Sequence, residues 1–315
     1  MASNVVASVI VPTRGGVHRL PRLVDSLAQQ NRQDFETVFV VDGDVDGSYD
    51  YLSSDGVKQK LGNSKVIVFP QNMGRSEALN AGHEAAQGEV LIRCDDDLEP
   101  KPDFIQAHVK RQESGPRGTI GLYRNVFPST PYSRAYGVDA DKRFTQSAIE
   151  TSPDMQWRYW AGNVSISREI WRSVGKYDLK YRTYGWEDVD YGYRIHQAGY
   201  PVEIAPELTT NHYVAAVTTR IRAVRALHSG ASREKFVETH GEGVLPETVG
   251  SGIWDKSVSF VSKFATEKSI DVAGGLVDTM IAKLPMPVGR KLVALTVESA
   301  GRAGIRYPNR AKSSF

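Results

Sequence analysis

The stretch EVLIRCDDDLEP, residues 89–100, sets a short apolar run against three consecutive acids. The run Val90–Cys94 has the length and composition of a buried strand, and the acids stand at its exit. Adjacent carboxylates repel, and each disfavours the ionised form of its neighbours. A fold that keeps Asp95, Asp96 and Asp97 together must therefore supply something that offsets their charge.

Working back toward the N-terminus, the same texture recurs. VVASVIVP (5–12), TVFVVDG (37–43) and KVIVF (65–69) are β-branched runs, each closed by a turn-forming or polar residue. Between them lie helical patterns. HRLPRLVDSLAQQ places Leu20, Leu23, Val24 and Leu27 on one face, YDYLSSDGVKQKLG reads as a broken helix, and RSEALNAGHEAAQG runs to a stop at Gly88. Apolar strands alternating with helices predict a mostly parallel sheet flanked by helices, an α/β fold. In such sheets ligands bind at the carboxyl ends of the strands. The polar residues there are Thr13 and Arg14, Asp42, Asn72 to Arg75, and Asp95 to Asp97.

Further on, PKPDFIQAHVKRQE predicts a helix and TIGLYRNVF a strand. Residues 128–156 read as an irregular acceptor or lid loop, and GNVSIS (162–167) as a strand. A helix is predicted to begin at Trp186–Asp188 and to end before Gly199-Tyr200-Pro201. Residues 215–315 are mostly helical, with a composition break near 245–252. The expected organisation is a domain over 1–245, with a nucleotide-binding half (about 1–100) and an acceptor half (about 101–245), followed by a helical extension over 246–315.

Composition excludes several classes. The 315 residues carry a net charge of only +2, with no nucleic-acid footprint. Cys94 is the single cysteine, which rules out an internal disulfide and a zinc cluster; its place at the end of an apolar run suits a small buried filler. No apolar stretch nears the ~18 residues of a membrane span, and MASNVVASVIVPT has no basic leader region, so a cytoplasmic protein is expected. The charge is uneven, however. Residues 285–315 hold Arg290, Lys291, Arg302, Arg306, Arg310 and Lys312 against Glu298 alone. These C-terminal helices read as a cap on the catalytic domain or a homodimer contact, or as a basic amphipathic surface at the inner face of a membrane.

The three acids admit three readings: a solvated acidic turn, a calcium loop, or a clamp for a divalent cation. The calcium loop lacks its D-x-D-x-D-G spacing. A clamp makes sense if a phosphate ligand shares the cation. Arg75 opening a helix, and Arg14 with Gly15-Gly16 after the first strand, supply anion sites that suit a phosphate. The G-x-G-x-x-G fingerprint and the Walker A loop are both missing. A nucleoside diphosphate bound through metal fits these features. In GWEDVDYGYRIHQAGY, Glu187 and Asp188 lie in a first helical turn, where an acid is a capping group or a general base. Trp186 beside them is a core residue or an aromatic platform. His212 is a structural histidine or a metal ligand.

The ordered series SVIVPTRGG, VVDGD, NMGRSEALNAG, RCDDDLEP, WAGNVSISREIW and GWEDVDYGYRIHQAGY resembles the family 2 glycosyltransferases of the GT-A fold, over roughly residues 5–230. The resemblance implies a nucleotide-sugar donor, a UDP-sugar before a GDP- or dTDP-sugar, and Mn²⁺ or Mg²⁺ held by Asp95, Asp97 and His212. It implies nucleotide contacts from Pro12, Thr13, Arg14, Asp42, Arg75, Asp95 and Asp96. It places Trp160, Gly162 and Asn163, together with Trp186, at the sugar or acceptor pocket. It also makes Asp188 the catalytic base of an inverting transfer, with Glu187 binding or orienting the acceptor. The acceptor class is open among a glycan, a lipid-linked sugar, a protein and a small molecule. One departure stands out: relatives read VVDDGSTD where this chain has VVDGDVDG, so Gly43 replaces the second acid. The rival readings are a sugar-phosphate nucleotidyltransferase, which would not need GWED, and a non-catalytic nucleotide- or sugar-binding module.

Overall fold

A computed structural model describes residues 5–182, 185–214, 216–246, 250 and 252–312. Of the expected linker at 245–252, residues 247–249 and 251 lie outside the described residues. The chain forms two compact units. The first comprises Met1–Val126, Thr145–Leu179 and Glu187–Tyr213; the second comprises Phe127–Phe144, Lys180–Trp186 and Val214–Phe315.

In the first unit the predicted alternation appears as β1 (Ala7–Thr13), α1 (Leu20–Ala28), β2 (Phe35–Val41), α2 (Ser48–Ser53), α3 (Asp55–Leu61), β3 (Ser64–Val68), α4 (Arg75–Ala85) and β4 (Val90–Cys94). It continues through β5 (Leu98–Glu99), α5 (Phe104–Gln112), β6 (Gly118–Ile120) and β7 (Tyr123–Val126). After α6 (Val138–Glu150), which crosses the division between units, come β8 (Asn163–Ser167), α7 (Arg168–Val174), α8 (Trp186–Gln197), β9 (Val202–Ile204) and β10 (Thr210–Tyr213). Seven strands form one sheet in the order β3-β2-β1-β4-β8-β6-β9, and β5-β10-β7 form a second. Strands β1 to β4 are mutually parallel, whereas β8 runs antiparallel to β4 with Cys94 opposite Asn163. The ends of β1, β2 and β4 and the start of β8 therefore lie along one edge.

The strands alternate their side chains between two covered faces. Val9, Val11, Phe39, Val41 and Ile92 pack on one side with Leu20, Leu23, Val24 and Leu27 of α1 and Phe104, Ile105 and Val109 of α5. Val38 and Val40 face the other way, against Ala78 of α4. Pro21 near the start of α1 suits a first turn that has no use for its missing N–H. Cys94 is fully buried, as expected of a filler.

Two segments differ from expectation. Residues 128–156 are not irregular: a π-helical turn over Ser133–Gly137 runs into α6, and a 3₁₀ segment follows over Pro153–Tyr159. Helix α6 buries only Ala148, leaves Val138, Phe144 and Ile149 exposed and is otherwise polar, a composition that reads as a surface loop. TIGLYRNVF is not one strand but two. Gly121 donates its N–H to the Asn163 carbonyl at 2.9 Å, and the chain then leaves the large sheet for the small one.

The second unit is helical: α9 (Thr219–His240), α10 (Ile253–Ser262), α11 (Glu267–Met280) and α12 (Met286–Arg306). Its core joins Ala223 and Leu227 of α9 to Ile270 of α11 and Val293, Val297, Ala300 and Ala303 of α12. Helix α9 is therefore bound to the C-terminal helices by shared burial. The two compact units accordingly do not follow the expected cut after residue 245.

Candidate active site

The carboxyl edge of the large sheet brings most of the singled-out residues together, and each acid of the triplet has its own partner. Asp95 accepts from Arg93 Nε at 2.8 Å and from Arg93 Nη2 at 3.2 Å. Asp96 accepts from Thr13 Oγ1 at 2.5 Å and is gripped by Arg19 through Nε and Nη2 at 3.1 and 2.9 Å. Asp97 Oδ2 lies 3.2 Å from His212 Nε2. Successive side chains at the strand exit point in different directions, so Arg93 and Asp95, two apart, share a side while Asp96 turns toward α1. The charge of the triplet is thus offset largely by arginines of the chain itself. Burial pushes the Asp96 carboxyl up against the pull of Arg19; burial acts on Asp95 in the same sense, but Arg93 and Arg75 bring it below its ordinary value.

Arg93 also reaches a third carboxylate. Its Nη1 donates to Asp188 Oδ1, so one buried guanidinium joins the strand exit to the first turn of α8. Beside it, Arg75 Nη1 donates to Glu187 Oε1 at 3.2 Å. Burial pushes the Asp188 carboxyl up to about 7; Arg93 opposes this, and the Glu187 charge adds to it.

Asp42 is nearly buried, and its two oxygens accept the N–H groups of Met73 at 2.5 Å and Gly74 at 2.9 Å. It thereby holds the loop that presents Arg75 at the start of α4. Arg14 Nη1 donates to the carbonyls of Asp42 and Gly43 at 2.8 and 3.2 Å and closes the same turn from the other side. Gly43 explains the departure from VVDD. Its φ is +73°, and a Cβ there would lie 2.8 Å from the carbonyl carbon of Gln71. Pro12 is the penultimate residue of β1 and delivers Thr13 to Asp96.

His212 on β10 is oriented from two further sides. Its Nδ1 contacts Asn125 Oδ1 at 2.5 Å, and its ring stacks on Tyr123 with centroids 4.5 Å apart. An amide oxygen can only accept, so Nδ1–H donates to Asn125 and Nε2 is the ring atom turned to Asp97, a carboxylate and an imidazole set side by side as a cation site needs. Tyr123 also accepts the Gly162 N–H at 2.7 Å, while the Gly162 carbonyl accepts from Asp95 N at 2.9 Å. A Cβ at Gly162 would lie 2.1 Å from Asp95 Oδ2, so only glycine leaves Asp95 its place.

Three expected pocket residues have their side chains engaged elsewhere. Asn163 is fully buried; its Oδ1 meets His108 Nε2 at 3.1 Å, and its Nδ2 donates to the Leu208 carbonyl at 2.9 Å. Trp160 is buried and donates from Nε1 to Tyr177 Oη at 3.1 Å, with Tyr177 stacked on Tyr191 at 4.0 Å. Trp186 packs its ring on Phe236 and donates to Ser229 Oγ at 3.3 Å within the helical unit. Sequence reasoning passed over Arg93, Arg19, Tyr123 and Asn125. A legible signal existed for Arg93: a lone charge in an otherwise apolar strand, two residues before an acid.

The fold and this edge define the class: a GT-A glycosyltransferase. The family profile described as glycosyl transferase family 2 matches residues 8–171, and one described as the N-terminal domain of galactosyltransferase matches residues 147–218. The chain belongs to glycosyl transferase family 2. Its sequence is 27% identical over 271 residues to Validoxylamine A glucosyltransferase of Streptomyces hygroscopicus subsp. jinggangensis, covering 76% of this chain and 62% of that protein. Among solved structures, the mannosyltransferase PcManGT of Pyrobaculum calidifontis in complex with GDP-Man and Mn²⁺ superposes with a TM-score of 0.62 at 16% identity, over 96% of this chain and 87% of that one. S. aureus TarS 1–349 in complex with UDP-GlcNAc gives 0.55 at 14%, over 95% and 92%. The nucleotidyltransferase and binding-module alternatives give way to glycosyltransferase.

Proposed function

We propose that this protein is an inverting glycosyltransferase that moves a sugar from a nucleoside diphosphate, UDP before GDP, to an acceptor hydroxyl, with a divalent cation at Asp97 and His212. The observation that carries the reading is the shared guanidinium of Arg93. It ties Asp188, a carboxyl near neutrality, to the strand exit where Asp97 faces His212.

The donor set fits Mn²⁺ or Mg²⁺. No group of three or more His, Cys, Asp or Glu side chains gathers at one point among the described residues. The chain thus offers one carboxylate and one imidazole, which suits a cation that completes its shell with phosphate oxygens and water. Asp95 joins that set only by giving up part of its bond to Arg93. When bound, the cation would neutralise diphosphate oxygens as the leaving group's charge grows.

The chain's own residues supply the rest. Asp188 takes the proton of the acceptor hydroxyl as that oxygen bonds to the anomeric carbon. The bond from that carbon to the diphosphate breaks on the opposite face, which inverts the centre. Arg93 keeps the base carboxylate aimed, and Glu187, held by Arg75, lies one residue away to bind the acceptor. The Asp42 turn shapes the loop that presents Arg75. The neighbours that bind UDP-GlcNAc and GDP-Man support a nucleotide-sugar donor. The chain covers 62% of the length of the curated glucosyltransferase, so that protein's own substrates are not carried over.

The test is a thermal-shift screen of nucleotide sugars with and without Mn²⁺, followed by transfer and donor-hydrolysis assays. A rise in melting temperature with a UDP-sugar that EDTA abolishes supports the reading, since only ligands of the folded state shift it. Stabilisation by no nucleotide sugar, with or without metal, would refute it.

A further inference from the structure

Helices α10 and α11 each bury one face within the helical unit and leave an apolar stripe on the other. On α10, Val258 and Ser262 are buried; the Val258 carbonyl accepts from Ser299 Oγ of α12 at 3.3 Å. The opposite stripe carries Ile253, Phe260 and, just past the helix, Phe264, which are 86, 61 and 66% exposed, the two phenyl rings touching edge to face. On α11, Ile270 and Gly274 are buried, while Val272, Leu276 and Met280 repeat at four-residue spacing on the exposed side.

The charges around these stripes are sorted. The acids of the segment are held by the protein: Asp255 by Arg302 at 2.6 Å, Asp271 by Arg220, Asp278 by the N–H groups of Thr219 and Arg220, and Glu298 by the indole of Trp254. Three of the four arginines expected to make residues 285–315 a basic surface are engaged as well, and Arg306 is exposed. Arg290 pairs with Asp139, Arg302 with Asp255, and Arg310 donates to the carbonyls of Ser262, Lys263 and Ala265. Lys256, Lys263, Lys268, Lys283 and Lys291 are exposed instead, and none forms an ion pair among the described residues. No helix among the described residues is long and apolar enough to cross a membrane.

We propose that the exposed faces of α10 and α11 dock on a lipid surface with anionic headgroups, the apolar stripe entering the interface and the five lysines meeting the headgroups. This combination of apolar stripe and flanking cations is what interfacial helices require. A second copy of the chain fits less well. A two-fold interface sets each patch against itself, so the unpaired lysines would confront one another, and interface cores are depleted in lysine. The docking surface does not depend on the transferase chemistry.

Flotation of the full chain with phosphatidylcholine vesicles, and with vesicles in which about a third of the lipid is phosphatidylglycerol, tests this. The chain is expected to float with the anionic vesicles alone and to be released by high salt. Two variants are compared at unchanged melting temperature and unchanged donor hydrolysis: Phe260→Ser with Phe264→Ser, and Lys256→Glu with Lys263→Glu and Lys268→Glu. Each should lower vesicle binding by at least about tenfold. Equal flotation on both vesicle types, or on neither, overturns the proposal. So does a concentration-dependent dimer in light scattering that Phe260→Ser with Phe264→Ser dissociates. Truncation at residue 285 is no test, because Val293, Val297, Ala300 and Ala303 form the core of the unit.

Discussion

Arg93 donates to Asp188 across 95 residues of sequence while its remaining nitrogens hold Asp95, so a single buried cation orients both the first acid of the triplet and the acid of α8. Removing one partner of a buried ion pair leaves the other uncompensated and costs about 3–5 kcal/mol. Here two carboxylates depend on the one guanidinium.

Asp188→Asn keeps the shape of the side chain and removes its basicity. Turnover should fall by about 10²- to 10⁴-fold, the range of general-base catalysis, while nucleotide affinity measured by calorimetry changes little. Wild-type turnover in this variant would end the case for Asp188 as base.

The pH profile follows from the same residue. Its carboxyl is raised to about 7, chiefly by burial, so the basic form is lost as pH falls through that value. The kcat/KM of the wild type should therefore rise toward a plateau above about pH 7. Stability runs the other way: the fold favours the neutral acid, so the stability this group contributes is present below the ordinary carboxylate range and is lost as pH rises through about 7. A profile flat from pH 5.5 to 8.5, scaled as about three units around neutrality, would contradict the assignment.

Asp97→Ala and His212→Ala each remove one of the two side chains assigned to the cation. Both should weaken Mn²⁺-dependent nucleotide binding by at least about tenfold, the scale on which lost ligands and their supports act. Titration with and without EDTA measures this; affinity insensitive to both variants and to EDTA would count against the site.

His83 and His108 are buried, and burial lowers each to about 4. The unfolded chain takes up these protons first, so stability is present above about pH 6.5 and is lost as pH falls toward 4, by up to about 3 kcal/mol per histidine. His83 stacks on Trp171 at 4.6 Å, a contact that phenylalanine can keep. His83→Phe should flatten the acid limb of urea-unfolding free energy by about one histidine's share; an unchanged limb would refute the assignment.

Gly43→Ala places a side chain on a left-handed backbone and against Gln71. A loss of about 1–3 kcal/mol is expected in chemical denaturation, with a matching loss of nucleotide affinity as the Asp42 turn and the Arg75 loop loosen. A variant as stable as wild type would show that the turn relaxes freely.

The strands, their order of appearance and the edge at which their polar residues meet were legible because β1, β2 and β4 are buried on both faces, β3 keeps a β-branched run at the sheet edge, and helices alternate with them. Asp95 to Asp97, Asp188 and His212 could be singled out because they stand in motifs whose order resembles the family's, whereas an acid at a helix start or a lone histidine carries no such signal alone. Helix α6 was not legible: its sequence is mostly polar, and Ala148 is its one buried residue, so no core-facing run of large apolar side chains marks it. The inward turn of Trp160 and Asn163 was hidden for a related reason, since a polar or aromatic side chain near a site reads the same whether it faces substrate or His108 and Tyr177.

The sequence by itself determined the class of fold, the family and the cluster of acids, because periodicity and motif order are local properties of the chain. The tertiary structure alone decided how those acids are held. Arg93 is two residues from Asp95 but 95 from Asp188, and Asp97 is 115 from His212; nothing in local spacing records which distant partner reaches a buried charge. Burying a charge is costly unless its partner arrives with it, so the pairing is settled only when the elements pack. The same packing engages Arg290, Arg302 and Arg310 with groups of the helical unit and leaves Lys256 and Lys268 of α10 and α11 facing out.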